Sequence, residues 1–223
     1  MRGGRDRGRL IVGSVVLFVA SIGVMLWGWG DWSTFWQNPA RLCLVVLMVM
    51  ACAVALAAPM SGFTGARVVD RRDALIVLPM LPLTFLYLYL PPWADRRDLF
   101  VLDGDAVRYA GLALCAAGCV LRIAPMFVLG YRFSPLVAIQ EGHTLVTDGI
   151  YRYVRHPSYL GALVVLVGWV LVFRSALGFL LVPPFVGVVV WRMNDEERLL
   201  GAEFGDTYAD YRRHSWRLVP WMY

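Results

Sequence analysis

The sequence predicts an all-α, polytopic integral-membrane bundle of about six transmembrane helices, with a C-terminal helical hairpin and a cytoplasmic amphipathic tail. Of the 223 residues, 59% are hydrophobic and only 17% are charged, whereas an ordinary soluble domain has roughly 25% charged residues. The apolar residues also come in long runs that short charged clusters separate. This is the pattern of a chain that crosses a bilayer repeatedly.

The first apolar run, residues 10–29, has 20 residues without a charge and follows four arginines. It ends in Trp27 and Trp29, with Trp32 close behind, as an interfacial aromatic belt does. A cleaved signal sequence has a shorter apolar core and ends in small residues. We therefore interpret this run as a retained first span.

Five further apolar runs each predict a span: residues 40–58, 74–90, 106–130, 159–173 and 176–193. Arg174 and Ser175 alone separate the last two runs, which predicts a tight antiparallel hairpin. Pro183 and Pro184 predict a kink midway along the last span.

The four cysteines all lie inside apolar runs and lack the paired spacing of a zinc site. Cys115 and Cys119 are one helical turn apart, beside Gly111 and Gly118. Small residues at this spacing allow close helix packing. We interpret the cysteines as packing residues and expect no metal.

Arginine supplies all 21 basic residues, and the formal net charge is +5. Fifteen arginines lie in the segments on one side of the predicted spans and four on the other. Because positively charged loops stay in the cytoplasm, both termini are predicted to be cytoplasmic. The excess of arginine suits anionic lipid headgroups, so we expect membrane lipids and no nucleic acid as partners. The composition, rich in arginine and without lysine, favours a GC-rich prokaryotic genome and hence a bacterial or archaeal cytoplasmic membrane.

Polar functional groups are concentrated in residues 131–158 and 194–223, both on the predicted cytoplasmic side. All three histidines and all four glutamates lie there. A purely structural membrane protein has no need of this, whereas a site formed where two membrane-adjacent segments meet does. We therefore divide the chain into an N-terminal transmembrane bundle, residues 1–130, and a region that carries the chemistry, residues 131–223.

The sequence Arg155-His156-Pro157-Ser158-Tyr159 opens the fifth span. Proline suits the first turn of a helix and favours an extended conformation at His156. His156 would then lie beside unpaired amide donors at a helix N-terminus, where it can hydrogen-bond a ligand. The alternative is that Arg155, His156 and Tyr159 only anchor the helix at the headgroups.

Arg192 and Glu196 are four residues apart, on one helix face, where the sixth span leaves the bilayer. They form either an intrahelical ion pair or two opposite charges at the mouth of a lipid-accessible pocket. Leu200, Phe204, Tyr208 and Tyr211 follow at helical spacing, so this tail should lie with an apolar face against the membrane or the bundle, and Gly205 should interrupt its helix.

Together these motifs resemble those of the isoprenylcysteine carboxyl methyltransferase family, and they are similar also to those of the wider group of membrane phospholipid methyltransferases. The resemblance covers about the last 90 residues. It rests on GHTLVTDGIYRYVRHPSYLG at 142–161, on the hydrophobic hairpin, and on the later residues Glu196, Glu197, Leu200, Phe204, Gly205, Tyr208, Tyr211, Arg217 and Pro220.

In that family the methyl donor is S-adenosylmethionine, held in a cytoplasmic pocket that the C-terminal segment closes, while a lipid-like substrate enters from the bilayer. By matching position, the resemblance implies that the donor contacts Gln140, His143, Thr144, Leu145, Val146, Tyr151, His156, Pro157, Ser158, Tyr159 and Glu196. Arg192 matches the arginine placed near the substrate's carboxylate. Arg192 and His156 are therefore the candidate catalytic residues.

The chemistry of these residues, considered without the resemblance, agrees with a methyl-transfer site. A sulfonium donor already carries a reactive methyl group, so the protein must chiefly align donor and acceptor. Glu196 suits the donor's polar groups, Tyr151 and Tyr159 suit its adenosine or sulfonium, and Arg192 suits an anionic acceptor. An acceptor carboxylate needs no general base.

The lipophilic acceptor and the oligomeric state stay open. A lipid headgroup, an isoprenoid acid or a small hydrophobic thiol fits as well as a prenylated cysteine, and an amine or a thiol would need His156 or His143 as a base. Two other classes compete. One is an NADPH-dependent membrane sterol- or enone-type reductase, and the other is a non-enzymatic scaffold or transporter.

Overall fold

A computed structural model describes residues 2–58, 66–69, 73–130, 138–140 and 144–222. Seven helices and two short strands make up these parts of the chain. They are α1 (Arg2–Trp29), α2 (Trp32–Phe35), α3 (Pro39–Ala57), β1 (Ala66–Val69), α4 (Asp73–Arg96), α5 (Asp105–Leu129), β2 (Ala138–Gln140), α6 (Pro157–Val172) and α7 (Val182–Arg213). Two 3-10 helices, Gly149–Arg152 and Leu177–Leu181, precede α6 and α7.

The predicted helical membrane fold is confirmed. Four helical segments among the described residues are long and apolar enough to cross a membrane: Ile11–Trp29, Pro39–Ala57, Asp105–Leu129 and Leu177–Arg213. The segment Pro157–Val172 is also apolar but shorter. The described parts of the chain thus support four of the six predicted spans directly.

Two sequence predictions about the last span are wrong. The connection between α6 and α7 is longer than Arg174 and Ser175, because α6 ends at Val172 and five of the following residues form a 3-10 helix. Pro183 and Pro184 lie in the first turn of α7 instead of kinking its middle. A first-turn proline costs nothing, since its missing N–H would have had no partner within the helix.

Helices α5 and α6 pack antiparallel with their backbones in direct contact. A Cβ placed on Gly111 would lie 2.6 Å from the Gly168 carbonyl oxygen, and one on Gly118 would lie 2.8 Å from that of Gly161. Cys115 is buried in the same interface. The packing role predicted for the cysteines and glycines of α5 therefore holds for this face.

Replacing Gly168 by alanine is expected to destabilise the protein by about 1–3 kcal/mol, because overpacking forces a close interface apart. The new Cβ would lie 2.7 Å from the Cys115 backbone nitrogen, which cannot move independently of α5. Gly187→Ala in α7 is the matched control, since nothing lies within 4 Å of its Cβ position. Thermal unfolding of both variants in one detergent measures the difference, and equal midpoints would show that the α5–α6 contact tolerates a methyl group.

Buried charges join α4, α5 and the end of α6. Arg108 donates to both carboxylate oxygens of Asp95, at 2.6 and 2.9 Å, and to the Val172 carbonyl oxygen at 2.8 Å. Arg174 donates to the same Asp95 at 3.0 Å. Because removing one partner of a buried ion pair leaves an uncompensated charge, this cluster fixes one end of the bundle.

The two strands lie at the opposite end. Strand β1 pairs antiparallel with β2, with Ala66 opposite Gln140 and Val69 opposite Ala138. The connection between α3 and α4 is therefore hydrogen-bonded to the segment between α5 and α6. This is the end of the bundle at which α5 finishes and α6 begins.

Candidate functional site

The site is built at the start of α6. His156 is the residue before the helix, and Pro157 occupies the first turn, as predicted. The backbone of His156 is non-helical, with φ −125° and ψ 58°, so its ψ falls short of the extended conformation expected. Its side chain is buried, and its ring lies against that of Tyr159 with the centroids 5.6 Å apart.

Glu197 holds this segment in place. Its Oε1 lies 3.1 Å from His156 Nε2, accepts from Arg155 Nε at 3.1 Å and lies 3.3 Å from Arg217 Nε. The Glu197 side chain is only 9% exposed, so solvent screens these charges weakly. Sequence reasoning missed the role of Glu197, although its place beside Glu196 in the motif was visible.

Glu196 faces the other side of His156. Its Oε2 lies 3.8 Å from His156 Nδ1, which is longer than a hydrogen bond, and its side chain is 36% exposed. Burial, and then the charge of Glu196 and the neighbouring Tyr211, raise the pKa of Tyr151 above its usual value. Glu196 thus lies near two of the predicted donor-binding residues with a carboxylate that is still accessible.

Tyr159 connects Glu196 with Arg192. Its hydroxyl accepts a hydrogen bond from Arg192 Nε at 3.4 Å, and the Glu196 carboxylate lies near enough to interact with it. The two charged residues of α7 therefore converge on one tyrosine of α6.

Arg122 of α5 joins the same place from inside the bundle. Its Nη1 donates a hydrogen bond to Ser158 Oγ at 2.7 Å. Its guanidinium also interacts electrostatically with Arg192 and Glu196. Arg122 was not among the predicted site residues, although it lies within the apolar run 106–130. An arginine at that depth was the available signal, because such residues usually face a bundle interior or a cavity.

The C-terminal segment closes over the start of α6. The backbone N–H groups of Arg155 and His156 donate to the carbonyl oxygens of Trp216 and Arg217, at 2.8 and 3.2 Å, and Trp216 donates back to Tyr153 at 2.8 Å.

Farther back in α7, the tail predicted from Leu200 to Tyr211 packs on the protein. Tyr208 is buried, and Tyr211 Oη donates to the Tyr151 carbonyl oxygen at 2.6 Å. Gly205 interrupts the helix with φ 52°, as expected.

The remaining predicted donor-binding residues lie upstream of Tyr151. Thr144 is exposed, and Leu145 and Val146 are half-buried, in the irregular segment that leads to the 3-10 helix. Gln140 ends β2 opposite Ala66. His143 lies outside the described residues, so its predicted role stays a prediction.

An apolar cavity of about 300 Å³ lies deeper in the bundle. Six of the helices line it, with Phe18, Leu44, Tyr87, Trp169 and Phe185 among the lining residues. Trp169 is ten residues after Tyr159 in α6, which corresponds to about 15 Å along the helix. An apolar chain attached to a group at Tyr159 would need to extend by that distance to reach the cavity.

The chain is similar to known proteins of one family. Residues 111–202 match the model of the isoprenylcysteine carboxyl methyltransferase family. The protein-S-isoprenylcysteine O-methyltransferase of Schizosaccharomyces pombe is 38% identical over 111 residues, which are 47% of this chain and 45% of that protein. The human protein of the same name is 34% identical over 134 residues, 54% of this chain and 42% of that protein. The chain thus spans about half the length of these curated relatives.

A solved structure shares the fold. The structure of the eukaryotic intramembrane Ras methyltransferase, isoprenylcysteine carboxyl methyltransferase, matches with a TM-score of 0.50 and 18% identity, covering 99% of this chain and 98% of that chain. At this identity the match concerns the fold alone. The relatives named here are eukaryotic, so the expected prokaryotic origin stays a prediction. The resemblance predicted from the motifs is confirmed, because residues 111–202 of this integral membrane protein match the isoprenylcysteine carboxyl methyltransferase family model and the relatives carry that activity in their names.

Proposed function

We propose that the protein is an integral-membrane methyltransferase that uses S-adenosylmethionine and methylates a lipophilic acceptor at the cytoplasmic face of the membrane. The observation that carries this is the convergence of His156, Tyr159, Arg192 and Glu196 at the start of α6. The relatives' names favour this function over the reductase, the scaffold and the transporter. These four residues lie in the region proposed to carry the chemistry, residues 131–223, and Arg122 joins them from the proposed N-terminal bundle.

The chemistry of the residues fits the donor. A partly exposed carboxylate, Glu196, suits its hydroxyl or ammonium groups, and the aromatic rings of Tyr151 and Tyr159 suit its adenine or its cationic sulfur. The buried hydroxyl of Tyr208 has no hydrogen-bond partner within the described residues, and it interacts electrostatically with Glu197 and Glu196. When bound, S-adenosylmethionine supplies an electrophilic methyl group, so the protein needs no nucleophile.

The protein's own residues position the reactants. Arg192 and Arg122 bring two positive charges towards Tyr159, and we propose that they orient an acceptor carboxylate. A carboxylate is ionised at neutral pH, so proton removal is not required. His156 has its Nε2 at Glu197, which leaves Nδ1 to face the donor or, with an amine or thiol acceptor, to take a proton.

The acceptor we favour is the carboxylate of an isoprenylated cysteine, the substrate class in the relatives' names. Its apolar chain suits the cavity around Trp169, and its carboxylate suits the two arginines.

Calorimetric binding of S-adenosylhomocysteine to the detergent-purified protein tests the donor, with NADPH titrated in parallel. Micromolar binding of S-adenosylhomocysteine supports the proposal, whereas binding of NADPH alone would favour the reductase. Transfer of a radiolabelled methyl group to an isoprenylated cysteine, with its carboxamide as the matched control, tests the acceptor. Equal labelling of acid and amide would contradict a carboxylate acceptor.

Arg192→Ala should lower kcat/KM for a carboxylate acceptor about 10- to 100-fold, because a charge-assisted hydrogen bond contributes about 1.5–3 kcal/mol. Affinity for S-adenosylhomocysteine should stay the same, and Arg192→Lys should restore part of the rate. Arg198→Ala is the control, since Arg198 lies on the same helix and pairs with Asp195. An unchanged ratio of rates for acid, amine and thiol acceptors would remove Arg192 from the acceptor site.

We also propose that both termini are cytoplasmic, because arginine is concentrated on that side of the predicted spans. An epitope added after Tyr223 should bind antibody only in permeabilised cells. Antibody binding to intact cells would show that the C-terminus lies outside the cell and would contradict the proposed topology.

A further inference from the structure

The end of the chain exposes large apolar side chains. We call residues 214–222 the tail segment. In it Trp221 is 84% exposed and Met222 is 82% exposed, and Trp216 and Val219 are also exposed. A cluster of this kind in water is unfavourable and marks a surface that another apolar phase covers.

The charge around the tail segment is positive. From Arg212 to Tyr223 the sequence has three arginines and no acidic residue, and the nearest acidic residue before it is the exposed Asp210, which pairs with Arg213 at 3.0 Å. Arg212 and Arg213 are exposed, and so is Arg152 in the segment next to the tail. Tryptophan and arginine side by side are typical of a surface that meets anionic lipid headgroups.

Backbone hydrogen bonds hold the tail segment beside the residues that precede α6. Arg155 donates to the Trp216 carbonyl oxygen at 2.8 Å, and Trp216 donates to that of Tyr153 at the same distance. The apolar helix α6 begins two residues after Arg155, at Pro157. Trp216 is therefore held where an apolar helix starts, which is the level of a membrane surface.

We propose that the tail segment lies in the headgroup layer of an anionic membrane leaflet, and that this contact holds it on residues 153–156. The tail segment contains Arg217, which contacts Glu197, and its backbone is bonded to His156. Lipid charge would therefore favour the closed arrangement of the site. The inference concerns the membrane contact of this chain and does not depend on the methyl-transfer reaction.

Hydrogen exchange of the full chain, one copy per nanodisc, tests the proposal. One lipid is phosphatidylcholine, and the other contains roughly a third phosphatidylglycerol. The amides of residues 153–156 and of the non-proline residues in 214–222 should exchange about 30-fold more slowly with the anionic lipid, as expected for two exposed arginines near a charged surface. Arg212→Gln/Arg213→Gln should lose this lipid dependence, and Trp221→Ser/Met222→Ser should exchange fast in both lipids.

Trp32→Ala is the control, because Trp32 is an exposed tryptophan of α2 outside the tail segment. It should leave the exchange of the tail segment unchanged. Equal exchange in both lipids, for the unmodified chain, would overturn the proposal. Protection that appears only with two copies per nanodisc would overturn it too and would assign the surface to a second copy. Since no donor or acceptor is present, the result is independent of whether the proposed reaction occurs.

Discussion

Glu197→Ala is expected to lower the stability of the protein by about 3–5 kcal/mol, because it leaves two largely buried arginines and a buried histidine without their carboxylate. The three partners are Arg155, His156 and Arg217, which come from the segment before α6 and from the tail segment. Loss of Glu197 should therefore also release the tail segment. Glu197→Gln keeps an acceptor oxygen and should have an intermediate effect.

Thermal unfolding in detergent measures the loss of stability, and limited proteolysis measures the release of the tail segment. Asp210→Asn is the matched control, since Asp210 pairs with Arg213 on the exposed side of the same helix, where an ion pair contributes little. If Glu197→Ala and Asp210→Asn unfold at the same temperature, Glu197 does not hold the site together.

Glu196→Gln should have the opposite effects, with little loss of stability and a large loss of affinity for the methyl donor. Its carboxylate is partly exposed and 3.8 Å from His156, so the fold should depend little on it. We propose that it hydrogen-bonds the methyl donor. Because such a charge-assisted bond contributes about 1.5–3 kcal/mol, affinity for S-adenosylhomocysteine should fall about 10- to 100-fold.

Calorimetry on folded Glu196→Gln protein measures this loss, and Glu203→Gln serves as the control because Glu203 is an exposed glutamate of the same helix. Unchanged affinity in Glu196→Gln would place the donor elsewhere. Two adjacent glutamates are therefore expected to differ, one affecting stability and the other affecting binding. The difference follows from their positions on opposite sides of the His156 ring.

The close contact between α5 and α6 extends the site into the bundle. Their glycine contacts bring Arg122 to Ser158, and Arg192 reaches Tyr159 from α7. If the proposed reaction is correct, the close packing of these helices sets the distance between the two arginines. A variant such as Gly168→Ala would then change acceptor use as well as stability.

The local sequence was sufficient for the elements that depend on neighbours along the chain. Long apolar runs determined the helices, since a backbone in lipid must bond within its own segment. Pro157 determined the start of α6, and Gly205 the break in α7, because both residues act through their own backbone angles.

Contacts between distant segments were decided only by the tertiary structure. Strands β1 and β2 pair residues about 70 positions apart, and no periodicity in such short segments signals a partner. The start of α7 likewise depends on the 3-10 helix Leu177–Leu181 that precedes it. Pro183 and Pro184 therefore lie in the first turn of a helix, where the sequence suggested a kink.

The candidate site divides in the same way. The motif at 142–161 and Glu196 led to the resemblance that the family model bears out for residues 111–202, because the spacing of these residues is visible in the sequence. The tertiary structure alone showed that Glu197 joins Arg155, Arg217 and His156, that Arg122 enters from α5, and that the tail segment bonds to His156. The physical reason is that residue type and spacing specify local geometry, whereas an ion pair or a backbone pairing depends on how distant segments pack.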